Sequence, residues 1–454
     1  VSGVFKFFEK WGIHPAVVLA PVSVIAAVFI IWFSTGNDYL VGSAFSWAFF
    51  FAPFWLPVAL VTVAWPVWNN YVRAKFIASQ KMLLLEIRIP RDIMKSPRAM
   101  EAVFDGLSIA GGEATFIQRN IEGRVRPWFS FELASIEGQV HFYLWTRAGL
   151  RDLVEAEIYA QYPTVEIYDV DDYATSYHYD PASQGAWGCD FNLTKADVYP
   201  IKSYIDYELD KDPKEEFKID PISHLFEILS TVGPGEQMWL QIMFRVHSDK
   251  QPKVLTRDEK TNKPAKLALF AKESGNRWQF DAAEEIASIK KKATPVRKDK
   301  EGNEIVGFPN PTSGDIEKIK AIERSLGKSP FDVGIRGLYV FNNDAFKAIR
   351  INSLTALFKQ FGSGNLNGIK PTGWFTKFTW PWQGAFGGKD RMKHEIIDAY
   401  KRRSFFYAPH KGHPFVMTSE ELATIYHFPS RTIVAPGLAR IPATKVGAPA
   451  NLPF

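Results

Sequence analysis

Hydrophobic and polar positions divide this chain into an apolar front and an alternating body. Residues 11–37 carry no Asp, Glu, Lys or Arg, residues 39–72 carry none either, and Asp38 stands between them. The densest runs are 16–33 and 44–65. A helix rises about 1.5 Å per residue, so about 20 apolar residues match a hydrocarbon core about 30 Å thick. The pattern predicts an N-terminal two-helix transmembrane hairpin over residues 1–75. A signal peptide would have a short apolar region and a cleavage site, whereas here a second apolar run follows at once. Lys6 and Lys10 precede the first run, Arg73, Lys75 and Lys81 follow the second, and residues 34–43 contain no Lys or Arg. The positive-inside rule therefore predicts that both termini are cytoplasmic. Trp11, Trp32, Trp47, Trp65, Trp68 and Tyr71 fall near the predicted span ends, where aromatic rings favour the interface, and Arg73 and Lys75 join them as interface residues. Neither dense run contains an ionisable residue, which argues for an anchor and against a conduction path.

The body changes period. Residues 81–90 read as a strand, 96–112 as a helix with Pro97 at its first position, and 128–147 as a hairpin turning at Glu137 and Gly138. A helix over 148–161 and a strand over 164–170 complete a β-α-β-β-α-β order, the ferredoxin-like pattern. The order then repeats: a strand over 199–209, a helix from Asp220, a strand over 236–246, a Lys-rich insert, a helix over 313–327 and a strand over 331–341. The fold class expected is α+β, with two ferredoxin-like units behind the hairpin. The units span 76–180 and 181–365, and residues 366–454 form aromatic and Gly-rich loops, a short helix and a Pro-rich tail.

Composition narrows the chemistry. The single cysteine, Cys189, excludes an intramolecular disulfide and a multi-cysteine metal site. The net charge of +5 is too mild to mark a nucleic-acid protein, and no direct nucleic-acid site is evident. The nearest phosphate-loop string, 383–390, has Gln383 where the first glycine belongs and Asp390 where Ser or Thr belongs. His410 and His413 lack further ligands at metal spacing, and Asp169, Asp171 and Asp172 lack the rest of a calcium loop. No catalytic, cofactor or metal residue is therefore predicted. The best electrostatic candidates for lipid or partner contact are Lys290, Lys291, Lys292, Arg297, Lys298 and Lys300. Trp374, Trp380 and Trp382 are candidate partner anchors.

Four strings, at 129–173, 233–246, 352–371 and 417–430, stand in an order that resembles the non-motor, N-terminal region of type IV secretion and conjugation ATPase-associated proteins of bacteria. In longer relatives a P-loop motor follows the segment matched by 420–430; here the chain reaches Phe454 without one. The resemblance implies a scaffold at the bacterial cytoplasmic (inner) membrane. Together with the apolar hairpin and the lack of a catalytic constellation, it leads to the expectation of contact with membrane lipid, a separately encoded P-loop ATPase as partner, homo-oligomerisation and no enzyme activity. The alternatives are a structural envelope or surface-assembly oligomer without an ATPase, and a membrane-associated enzyme.

Overall fold

The computed structural model describes residues 46, 50–90, 93, 95–109, 111, 113, 115–210, 220–248, 277–294, 296–298, 304–306, 308–372, 388–430, 437–438 and 440–441. The chain divides into two compact units. One comprises Val1–Lys81, Gly111–Arg126 and Ser404–His413; the other comprises Met82–Ala110, Pro127–Arg403 and Pro414–Phe454.

The first unit is built on one long helix, α1 (Ala52–Ser79). Its uncharged half leaves Phe54, Leu60 and Val61 exposed. Its second half packs on protein: Trp65 stacks on Phe116 at 5.9 Å, and Trp68 Nε1 donates to the Asn120 carbonyl at 2.9 Å. Val72 is buried against the loop at Gly123, whose φ of 67° and approach to the Val72 carbonyl leave no room for a Cβ. Among the described residues no helix is long and apolar enough to cross a membrane, so the predicted transmembrane hairpin is corrected. Its second limb is the front of α1, which runs on through Asn69, Asn70, Arg73 and Lys75 and is held by protein contacts at Trp65, Trp68 and Val72. Its first limb, 11–37, lies outside the described residues.

The second unit is a single sheet. Its strands are β1 (Met82–Pro90), β2 (Phe129–Ile136), β3 (Gln139–Arg147), β4 (Glu166–Val170), β5 (Gln184–Leu193) and β6 (Glu236–Val246). After a separate two-stranded hairpin, β7 (Val296–Lys298) and β8 (Glu304–Val306), come β9 (Pro330–Asn342), β10 (Ile369–Thr372), β11 (Phe415–Thr418) and β12 (Arg440–Ile441). The order is β10-β5-β9-β6-β2-β3-β1-β12, with β11 beside β9 and β4 beside β1. Nine strands are antiparallel to their neighbours, and the two-residue β12 joins β1 in parallel.

The expectation of two ferredoxin-like units, each with its own sheet, is corrected by this continuity. The halves fuse where β2 meets β6, in register from Phe129 opposite Phe244 to Ile136 opposite Gln237. Both strands are buried along almost their whole length. Separate sheets would leave two long apolar edges with unpaired N–H and C=O groups, and pairing removes both.

One sheet face packs an apolar layer that includes Phe131, Leu133, Phe142, Leu144, Leu240, Ile242, Phe244 and Ile335. Its helices are α2 (Pro97–Gly106), α4 (Arg151–Gln161), α6 (Ile222–Ser230), α9 (Ala348–Ala356) and α11 (Ser419–Ile425); the short α3 (Phe116–Asn120) belongs to the first unit. Helix α2 buries Met100, Val103 and Phe104, three and four residues apart on one stripe. A capping box between Thr418 and Glu421 starts α11 directly after β11. The β2–β3 turn places Glu137 at φ 51° and Gly138 at φ 89°, the two positive values a tight two-residue hairpin requires. Between β6 and β9 stand α7 (Arg277–Lys292) and α8 (Ser313–Leu326), with a small core of Ala282, Ile289, Ile319 and Ile322. Residues 199–209, expected as a strand, instead form turns, with Asp206 N–H bonded to the Ser203 carbonyl and Glu208 at φ 57°.

Candidate functional site

The other sheet face is polar in one row. Asp190, Arg336, Gln241, Glu132, Tyr143 and Glu86 stand directly opposite one another across β5, β9, β6, β2, β3 and β1. Each belongs to a period-two alternation whose other members form the apolar layer. Over this face lie α10 (Gly388–Lys401), on β5 and β9, and the four-residue helix α5 (Tyr173–Ser176). Gly188 lets α10 approach: a Cβ there would lie 2.4 Å from the Ile396 side chain.

Glu132 is the centre of the row and is fully buried. Its Oε1 accepts from Arg403 Nε at 2.9 Å, Ser130 Oγ at 2.8 Å and Gln241 Nε2 at 2.9 Å. Its Oε2 accepts from Arg403 Nη2 at 3.0 Å and from Tyr173 Oη at 2.9 Å. Tyr173 spends its proton on Glu132, so Tyr400 Oη donates to Tyr173 Oη, 2.8 Å away. Arg403 follows α10, sits at φ 47° and buries its side chain completely. It also bonds Asp172 through Nη1 and, at 2.9 Å, through Nη2. The ring of Trp145 lies 5.7 Å from its guanidinium carbon, and Trp239 packs against Tyr173, Tyr177 and Tyr400.

The electrostatics follow from burial and pairing. Burial alone would raise the Asp172 carboxyl, but hydrogen bonds from Arg403, with Thr175 and the Ala174 N–H, hold it below its ordinary value. Burial disfavours charge on Arg403, and Glu132 and Asp172 outweigh it, so the guanidinium is held well above its ordinary range. Burial and the Glu132 charge raise Tyr173 and Tyr400 well above theirs. Five hydrogen bonds occupy both oxygens of the Glu132 carboxylate. The arrangement is a clamp: it ties the end of α10 and the start of α5 to the middle of the sheet.

At one end of the row Arg336 Nε donates to Asp190 at 2.7 Å. At the other, Glu86 holds Arg88 at 3.0 Å and lies 2.9 Å from His141 Nδ1. A second buried carboxyl, Glu421, is pushed up to about 7 by burial, against bonds from Thr418 and the Ile201 N–H.

The predicted site residues scatter. Trp11, Trp32, Trp47, Lys300, Trp374, Trp380 and Trp382 lie outside the described residues, as does the phosphate-loop-like string up to Gly387. Trp65, Trp68, Tyr71, Arg73 and Lys75 share α1, where Tyr71 and Lys75 are exposed. Lys290, Lys291 and Lys292 end α7, and Arg297 and Lys298 lie on β7. Lys292 lines an open groove of about 540 Å³ that Glu285, Asp315 and Lys318 also line, so its walls mix both signs of charge. Asp172 serves the clamp, Asp169 pairs with Arg151 at 3.4 Å, and Cys189 is buried, which pushes its thiol up. Among the described residues no group of His, Cys, Asp and Glu is placed to hold a metal ion.

Sequence reasoning missed Glu132, Gln241, Arg336 and Arg403. The first three carry a signal: Glu132 stands between Phe131 and Leu133, Gln241 between Leu240 and Ile242, and Arg336 between Ile335 and Gly337, each a polar side chain with no polar neighbour in the chain. Arg403, in the pair Arg402-Arg403, carries none, because only the backbone turn at 403 separates the buried arginine from its exposed neighbour.

No protein of curated function matches the chain. Residues 78–440 match the family described as Domain of unknown function (DUF8128), which takes in the clamp and the fused sheet up to the first residue of β12. With most of its length inside that match, the chain belongs to this family.

Proposed function

We propose that this protein is a scaffold of a secretion- or conjugation-type apparatus, whose sheet body docks a separate P-loop ATPase. One observation supports it above others. The four strings that carry the resemblance fall on β2, β3, α4 and β4, on β6, on α9 and β10, and on β11 and α11, all within one body. Three buried glutamates of these strings help to hold it together: Glu132 in the clamp, Glu421 in a helix cap, and Glu236 on the Tyr339 hydroxyl at 2.5 Å. Residues used in this way give a rigid platform for partners.

On this reading the protein works at the inner face of the bacterial cytoplasmic membrane. The exposed apolar surface of α1, followed by Tyr71, Arg73 and Lys75, suits that place. The same apolar surface favours a second reading, a self-assembling envelope or surface component that needs no ATPase. Affinity purification of the full chain from its native cells, in gentle detergent, separates the two. A P-loop ATPase in stoichiometric amount supports docking; homo-oligomers alone, across several detergents, would sink it in favour of self-assembly.

A further inference from the structure

The first unit encloses a cavity of about 40 Å³ between α1 and residues 404–413. Asn70 and Arg73 of α1 line it from one side, Tyr407 and Lys411 from the other. A single water needs roughly 10–15 Å³ by this measure, so the cavity holds about three water-sized groups, which matches the three terminal oxygens of a phosphate ester. The Nε of Arg73 is buried and has no hydrogen-bond partner among the described residues. Its guanidinium lies 6.0 Å from the Tyr407 ring centre. The acid of this neighbourhood, Glu113, is engaged elsewhere: it accepts from Tyr407 Oη at 2.8 Å and pairs with Arg126 at 3.3 Å. A buried donor left without an acceptor costs about 1–3 kcal/mol, which is why native proteins rarely keep one.

We propose that Arg73, Lys411 and Asn70 form a binding site for a phosphate group. A guanidinium fork matches phosphate oxygens, and Lys411 adds a second positive charge from a different segment. The surroundings favour an anion: among the described residues of this unit seven are Lys or Arg and two are acidic. Asn70 contributes an amide that donates to an oxygen. The group can arrive on a soluble phosphate ester or on a phospholipid headgroup; the site chemistry is shared. The site does not depend on ATPase docking.

The test uses the full chain with inorganic phosphate, read by calorimetry, and with vesicles, read by co-sedimentation. One vesicle set is phosphatidylcholine and the other adds phosphatidylglycerol. Arg73→Gln and Lys411→Gln should each weaken phosphate binding about tenfold or more. Lys95→Gln, an exposed change in the other unit, should leave it unchanged. Because Lys411 is exposed, its variant keeps the test valid if Arg73→Gln misfolds. Preference for phosphatidylglycerol vesicles that falls in both variants assigns a lipid headgroup; phosphate binding without that preference assigns a soluble ester. Binding in either arm that is equal in wild type and both variants overturns the proposal. So does the absence of both millimolar phosphate binding and vesicle preference in the wild type.

Discussion

Removing Arg403 while keeping Glu132 tests the clamp most sharply. Both side chains are fully buried, so Arg403→Met leaves a carboxylate in the interior with Ser130, Tyr173 and Gln241 as its remaining donors. Breaking one partner of a buried pair costs about 3–5 kcal/mol, chiefly because the other charge is stranded. Asp172 suffers less, since its side chain is 24% exposed and regains water. Glu132→Leu strands Arg403 in the same way, with Asp172 still beside it. The double variant removes both charges, so its loss should fall short of the summed single losses by about 2 kcal/mol or more. Arg403→Lys should fall between wild type and Met, because an ammonium does not reproduce the fork. Urea unfolding of the full chain, followed by tryptophan fluorescence, reads all four. Trp145 lies 5.7 Å from the Arg403 guanidinium carbon and Trp239 5.3 Å from the Tyr400 ring, so both report on the clamp. Single losses below about 1 kcal/mol that simply add would refute the reasoning, because a stranded buried charge is the whole of the effect.

Glu421 should make stability depend on pH. Its folded value, raised from 4.5 to about 7, means that the folded state binds the proton more tightly than the unfolded chain. That contribution is complete below about pH 4.5 and is lost as pH rises to about 7; Glu421→Gln should flatten this slope in unfolding midpoints measured across the window. At the β2–β3 turn, Gly138→Ala should destabilise by about 1–3 kcal/mol, because φ is 89° and the new Cβ would meet the Val232 carbonyl at 2.7 Å. Gly149→Ala, with open space around it, is the control and should stay within about 0.5 kcal/mol in the same thermal melt. In the first unit, Trp68→Phe removes the donor to the Asn120 carbonyl and should cost about 1 kcal/mol, read as earlier proteolysis near α3.

Much of the body was legible because its signals are local. The hairpin at Glu137-Gly138 and the start at Pro97 are short-range devices, and the strand at Glu236–Val246 stands where its apolar run does. The pairing of β2 with β6 was not legible. It joins residues about a hundred positions apart, and both strands are buried on two faces, so periodicity says nothing of which edge meets which. Residues 199–209 misled because Ile201, Tyr204 and Leu209 are buried at uneven spacing, by a chain folded into turns. The front misled for a different reason: an uncharged run measures only length and hydropathy. The protein contacts of Trp65, Trp68 and Val72 come from segments more than 40 residues downstream. The candidate site was hidden likewise, since Glu132 and Arg403 are 271 residues apart and meet only once the sheet has formed.

The scaffold reading rests on one partnership, and native mass spectrometry of the complex isolated from its own cells measures it directly. The account predicts a species whose mass combines this chain with a P-loop ATPase, and whose fractions hydrolyse ATP. A spectrum holding this chain alone, as monomer or homo-oligomer, with ATP hydrolysis absent from those fractions, would contradict it.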